Sequence, residues 1–142
     1  MNLNASLGGE LRLPLPFDAA VARVRDALQA EGFGVLTQID MQAAFREKLG
    51  KEFRPYAILG ACNPPLAYQA LTADPAVGLL LPCNVTVEAD QSDRSIVRLS
   101  DPHLLLATGA LAENVGLRQV ADDARQRLQR VAAALGASPE NR

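Results

Sequence analysis

Two alternating segments separated by a short polar turn constrain the fold more than any other feature of the sequence. Residues 83–90 alternate between apolar and polar side chains, with Val85 and Val87 on the apolar side. Residues 95–99 form a second strand-like segment, and residues 91–94 between them are polar. This pattern predicts a β-hairpin. Because a hairpin joins antiparallel strands, it favours a largely antiparallel sheet.

Before the hairpin, the sequence alternates between short apolar strands and amphipathic helices. The predicted strands cover residues 10–15, 33–39 and 56–61. In the second strand, Val35, Thr37 and Ile39 are expected on one face, because strand side chains alternate. The predicted helices have N-caps at Asp18, Asp40 and Asn63. They end near Gly32, near Gly50 and before Asp74-Pro75, where glycine or a following proline stops a helix.

After the hairpin, the sequence predicts one long helix. Asn114 is a suitable N-cap and Gly136 a suitable stop. The apolar residues between them recur at helical spacing: Leu117, Val120, Ala124, Leu128, Val131 and Leu135. Two segments are ambiguous. Residues 77–81 fit a buried connection or a short strand, and residues 103–112 fit a short helix or an apolar loop.

This order of elements predicts a two-layer α+β domain, in which helices pack on one face of a mainly antiparallel sheet. The chain has 142 residues, a length typical of one domain. We expect a single domain over residues 1–142, with an ordered core at about 10–136 and flexible tails.

Composition excludes several classes of function. The net charge is −2 and the basic residues form no stripe, so no nucleic-acid partner is expected. Apolar runs fall far short of the roughly 20 residues of a membrane helix. Residues 1–9 lack the features of a signal peptide. We therefore predict a cytoplasmic protein with no membrane partner and no cofactor, whose two cysteines are reduced thiols.

Cys62 is the strongest candidate for a functional residue. It ends an apolar strand, and Asn63 and Pro64 after it are suited to begin a helix. A thiol near the positive end of a helix dipole favours the thiolate form. The free N–H groups of that helix are also expected to favour a bound anion. The alternative is that Cys62 is a small buried hydrophobic residue.

Cys83 occupies a similar position, because it begins a strand and is followed by Asn84. If the two strands are neighbours, Cys62 and Cys83 line one cavity together with Asn63 and Asn84, and Cys62 is the more acidic thiol. The spacing of the cysteines matches neither a redox CxxC motif nor a zinc motif. A four-ligand zinc site would need two further ligands, so no metal site is predicted.

Two other residues are weaker candidates. Arg54 is positioned to bind a carboxylate or phosphate of a ligand, or to form a structural salt bridge. His103 is the only histidine. It is either a general base oriented by Asp101 or a surface residue.

Three blocks of sequence resemble a known family: residues 31–40, 53–64 and 78–85. They include the stretches Phe-Arg-Pro-Tyr at 53–56 and Gly-Ala-Cys-Asn-Pro at 60–64. The chain is similar to the bacterial and archaeal domain-of-unknown-function family 302 over about residues 11–135. This resemblance implies a TATA-binding-protein-like fold and a homodimer. It implies no activity, because a shared fold does not transfer function.

Three functions stay open at this point. The first is a small-ligand binding or interaction domain with a pocket around Cys62, Asn63, Cys83 and Asn84. The second is an enzyme of thiol or sulfur chemistry, in which Cys62 reacts and Cys83 resolves the product. The third is a structural partner module without a ligand.

Overall fold

The computed structural model describes residues 8–106 and 109–136. The strands are β1 (Gly8–Leu13), β2 (Gly34–Asp40), β3 (Tyr56–Cys62), β4 (Cys83–Gln91) and β5 (Arg94–Ser100). The α-helices are α1 (Phe17–Ala30), α2 (Met41–Leu49), α3 (Pro64–Ala73), α4 (Pro102–Leu106) and α5 (Val115–Ala134). Two 3-10 helices cover Pro75–Leu80 and Gly109–Glu113. Most of the predicted tails lie outside the described residues, although β1 begins two residues earlier than expected.

All five strands form one antiparallel sheet in the order β1-β5-β4-β3-β2. The predicted hairpin is confirmed as β4 and β5, with Val87 paired to Val97. The α+β class is confirmed as well. Within the described residues, no helix combines the length and apolar character needed to cross a membrane.

One face of the sheet is covered by α1 and the second half of α5. Alternate residues of the strands and the inner faces of these two helices form one large buried cluster, which we call the main core. It contains Val24 and Leu28 of α1, Leu59 of β3 and Leu128 of α5. Because strand side chains alternate, the other face of the sheet carries a different set of residues and is called the open face here.

A second, smaller cluster lies beside the main core. Its buried residues come from α3, the first 3-10 helix, α4 and the first half of α5: Leu66, Ala70, Val77, Leu106, Leu117, Val120, Ala121 and Ala124. We call this cluster the second core. The stripe predicted for α5 is therefore confirmed, but its first half and its second half serve different cores.

The predicted helix caps are confirmed at three positions and wrong at one. The side chains of Asp40, Asn63 and Asn114 each accept a hydrogen bond from a backbone N–H of the helix that follows. Helix α1 instead begins at Phe17, and its N-cap residue Pro16 has no side-chain hydrogen bond. Asp18 lies within the first turn, where a negative charge is favoured by the helix dipole.

A bulge in β2 makes one face prediction wrong. Val35 pairs with a main-core residue of β3, but Thr37 pairs with Gly60 and the register shifts between them. Leu36 is the extra residue, so Thr37 and Ile39 lie on the face opposite to Val35. A Cβ atom on Gly60 would lie 2.3 Å from Oγ1 of Thr37. A larger residue at position 60 would therefore force the Thr37 side chain to move.

A buried carboxylate organises the charges of the open face. Glu88 is 4% exposed and accepts hydrogen bonds from Arg54, at 2.5 Å, and from Arg98. Arg98 also donates to Glu10 at 2.9 Å. Burial by itself raises the pKa of Glu88, but the hydrogen bonds and charges of the two arginines outweigh it and hold the pKa below its ordinary value.

We predict that Glu88→Gln lowers the free energy of unfolding at pH 7 by about 1.5–3 kcal/mol, the usual contribution of a hydrogen bond to a charged group. A carboxylate with a lowered folded-state pKa stabilises above its unfolded pKa of about 4.3 and loses this effect in acid. The difference between variant and wild type should therefore shrink below about pH 4. Urea unfolding measures both values.

The matched control is Glu47→Gln on the exposed surface of α2, which should change stability by less than about 0.5 kcal/mol. A loss in Glu88→Gln that is the same at pH 7 and in acid contradicts the assigned role of the carboxylate.

Candidate functional site

A cavity of about 40 Å³ lies between the main core and the second core. One wall is the end of β3 and the start of β4, and the others are α3, α4 and α5. Its buried lining residues are Phe33, Ala61, Asn63, Leu66, Ala70, Pro102, Leu106, Val120 and Ala124. Half-buried residues form its mouth: Cys62, Ala67, Leu80, Leu81, Pro82, Cys83 and Leu105.

The lining of this cavity is almost entirely apolar. Asn63 and the two cysteines are the lining residues with polar side chains. The Asn63 amide is already engaged, because it accepts from the Leu66 N–H at 3.2 Å and donates to the Glu31 carbonyl at 3.4 Å. The thiols are the polar side-chain groups that remain. The cavity therefore suits an apolar group rather than a charged one.

The start of α3 does not supply the anion site expected from the sequence. Pro64 and Pro65 occupy the first two helical positions, and proline has no backbone N–H. The Leu66 N–H is taken by the Asn63 side chain, and the Ala67 N–H is bonded to the Asn63 carbonyl. The prediction of free N–H groups beside Cys62 is therefore wrong.

The chemistry of Cys83 is that of a protonated thiol. Burial raises the pKa of Cys83 to about 11, and the charge of Cys62 adds to this effect. At neutral pH the nucleophilic thiolate form of Cys83 is therefore scarce. Cys83 is poorly suited to resolve a reaction begun at Cys62.

The strand register also separates the two cysteines. Cys83 pairs with Ala61, so Cys62 is one residue out of register with it. Adjacent residues of a strand point to opposite faces, which directs the two side chains to different faces of the sheet. Both thiols are free. The two residues line one cavity, but this arrangement does not favour a disulfide or a paired redox site.

The other two predicted ligand-binding residues lie elsewhere. Asn84 is exposed and pairs with Gly60, on the open face and outside the cavity lining. Arg54 binds Glu88 on the same open face, which agrees with its interpretation as a structural salt bridge. The structure therefore brings together Cys62, Asn63 and Cys83, but not Asn84 or Arg54.

The predicted orientation of the His103 ring by Asp101 is wrong. Asp101 accepts a hydrogen bond from the backbone N–H of His103 and caps α4, but it does not bond to the imidazole. The two ring nitrogens contact Asp122 at 2.6 Å and Arg125 at 3.0 Å. His103 thus fastens α4 to α5. Among residues 8–106 and 109–136, no group of three or more histidines, cysteines or carboxylates is arranged to hold a metal ion.

Sequence reasoning missed the walls of the cavity. Ala67 and Ala70 on α3 and Ala124 on α5 line it, and these small side chains leave the space open. The signal was present as alanines in the apolar stripes of two helices. It needed the knowledge that these helices face each other, which spacing along one helix does not give.

Comparison with known proteins places this arrangement in a family. A sequence-family model described as "Domain of unknown function DUF302" matches residues 10–135. The chain belongs to this family. It is also similar to the crystal structure of an uncharacterized conserved DUF302 protein from Bacillus stearothermophilus, with a TM-score of 0.73 and 28% identity. That match covers 89% of this chain and 93% of the other. No curated protein matches the chain. The DUF302 match assigns no activity, so the cavity itself has to carry the functional argument.

We predict that Cys83 reacts with iodoacetamide only slowly in the Cys62→Ser variant, at a rate that still rises with pH between about pH 8.5 and 10. The reason is that burial raises the pKa of this thiol to about 11, above the free value of about 8.5. The measurement is the alkylation rate against pH by mass spectrometry, with an unstructured cysteine-containing peptide as the reference for the free thiol. A Cys83 rate that levels off together with the reference contradicts the assignment.

Proposed function

We propose that this DUF302 chain is a binding domain for a small apolar group, and that its site is the cavity between the two cores. The observation that carries the proposal is the lining of that cavity. It consists of buried apolar side chains and two thiols, and its one amide is already hydrogen-bonded. Ligand pockets are usually apolar with a few polar groups that fix orientation.

The size of the cavity supports a narrow class of ligand. One water needs roughly 10–15 Å³ of such space, and the cavity offers about 40 Å³. This volume suits a group of a few heavy atoms, such as the end of an alkyl chain. Phosphates, sugars and nucleotides need hydrogen-bond partners, and burying them here without partners is unfavourable.

The thiol enzyme is the less supported alternative. The raised pKa of Cys83 disfavours its role as a resolving thiol, and the start of α3 does not offer the free N–H groups expected beside Cys62. His103 is bonded to Asp122 and Arg125 of α5 and is not among the residues that line the cavity. A binding role needs none of these groups to react.

Xenon is the probe that tests the proposal, because it is small, apolar and chemically inert. We expect xenon to shift the amide and methyl resonances of the cavity wall in wild-type protein, with Leu66 and Leu106 among them. Ala124→Leu should abolish these shifts, because Ala124 lines the cavity and a larger side chain fills it. The matched control is Ala133→Leu, at an exposed position of the same helix, which should bind xenon like wild type.

Overpacking in Ala124→Leu can cost about 1–3 kcal/mol of stability. Resonances of residues on the far side of the main core are therefore followed in the same spectra as a check that the variant is folded. Ala70→Val supplies a second, smaller filling of the cavity. Absence of xenon shifts in wild-type protein, or the same shifts in both filled variants, overturns the proposed site.

We also propose that the chain forms a homodimer through β2. This strand is a sheet edge, and six of its seven residues are exposed. Leu36 is 68% and Ile39 47% exposed. The strand has no lysine or proline, the residues that commonly protect an edge from pairing. A second copy of β2 would pair with this edge and cover both side chains.

Light scattering at micromolar concentration tests the dimer. We expect twice the monomer mass for wild type and the monomer mass for Ile39→Lys, which places a charge in the contact. Leu79→Lys is the control, because Leu79 is exposed but lies outside β2. A monomeric wild type, or a dimer that Ile39→Lys leaves intact, refutes the β2 interface.

A further inference from the structure

The cavity is a seam between two separately packed clusters. Phe33 and Ala61 on one side belong to the main core, and Leu66 and Ala124 on the other side belong to the second core. All four residues line the cavity. A movement of one cluster against the other would therefore change the volume of the cavity directly.

The second core is the weaker of the two clusters. Among the described residues, it holds eight buried side chains, three of them alanine, against nineteen in the main core. The elements around it also leave large apolar side chains exposed: Tyr68, Leu71, Leu79, Leu104 and Val115. Segments with few buried apolar contacts open at a lower free energy than the core of the same protein.

Within this cluster, α3 and the 3-10 helix after it form a continuous segment, residues 64–80, which we call the flap. Leu66, Ala70 and Val77 are its buried residues. It lies between β3 and β4 in the chain but forms no part of the sheet. Its departure would leave every strand pair of the sheet intact.

Two asparagine side chains fasten the flap at the two ends of α3. At the start, Asn63 caps α3 and donates to the Glu31 carbonyl at the end of α1. Gly32 fits closely there, because a Cβ atom on it would lie 2.9 Å from Nδ2 of Asn63. At the other end, Asn114 of the α5 cap donates to the Ala73 carbonyl at 3.3 Å.

We propose that the flap opens away from the sheet as a unit, and that this opening enlarges the cavity to admit apolar groups larger than its closed volume. The apolar class of ligand rests on the proposed function. The opening itself does not rest on it, because it is argued from the few buried residues of the second core and from the position of the flap outside the sheet. A ligand that binds the open flap shifts the population toward that state.

Hydrogen exchange of wild-type protein tests the opening without any ligand. We expect the protection factors of the amides of residues 68–73 in α3 to be lower than those of β4 and β5 by about 10-fold or more. The reason is that opening of the flap leaves the strands paired. Equal protection in α3 and the central strands would mean that the two cores open together. That result contradicts the proposed opening of the flap as a separate unit.

Asn63→Ala tests the role of the Asn63 side chain, which caps α3 and bonds to the Glu31 carbonyl. It should accelerate exchange in α3 and leave β4 and β5 unchanged, because it removes a cap and the bond to Glu31 together. Asp40→Ala removes a cap of the same kind from α2 and should accelerate exchange in α2 alone. No change in α3 for Asn63→Ala contradicts the role of the Asn63 side chain. If Asn63→Ala does not fold, the wild-type comparison still decides the proposal.

The two proposals fail separately. If α3 exchanges rapidly but xenon does not bind, the opening of the flap is supported and the proposed apolar binding site is contradicted. If xenon binds but α3 and the strands are equally protected from hydrogen exchange, the binding site is supported and the opening of the flap is contradicted.

Discussion

Burial of one sheet face beneath α1 and the second half of α5 is the interaction on which the rest of the structure depends. It orders the strands, and it fixes the direction in which α5 continues beyond the sheet. The first half of α5 then offers an apolar stripe that the sheet does not cover. Helices α3 and α4 pack on that stripe as the second core. The cavity exists because these two layers of packing meet at β3 and β4 without filling the space between them.

The same arrangement explains the position of the cysteines. Cys62 and Cys83 lie where the sheet ends and the second core begins, so each is half-buried at the mouth of an apolar space. A low dielectric disfavours the charged thiolate, which raises the pKa of a thiol, as at Cys83. At Cys83 the sulfur therefore serves as a small apolar atom.

Local signals in the sequence predicted most of the helices and strands. The alternation in residues 83–99 predicted the hairpin, and the caps at Asp40, Asn63 and Asn114 were confirmed because capping depends on neighbours a few residues away. Long-range features were not predictable in this way. The bulge at Leu36 depends on how β2 meets β3, and the partner of Arg54 lies 34 residues away at Glu88. The prolines at 64 and 65 were visible, but their effect on the N–H groups of α3 was overlooked.

The division of α5 between two cores also limits how the length of this chain can change. An α-helix turns by about 100° per residue. One residue inserted between Ala124 and Leu128 would keep either half of the stripe in place and rotate the other half away from its cluster. Surface loops generally tolerate changes in length, but this helix can gain or lose residues only in steps close to whole turns. The main core and the second core therefore share one helical register along α5, and a change that suits one of them displaces the side chains of the other.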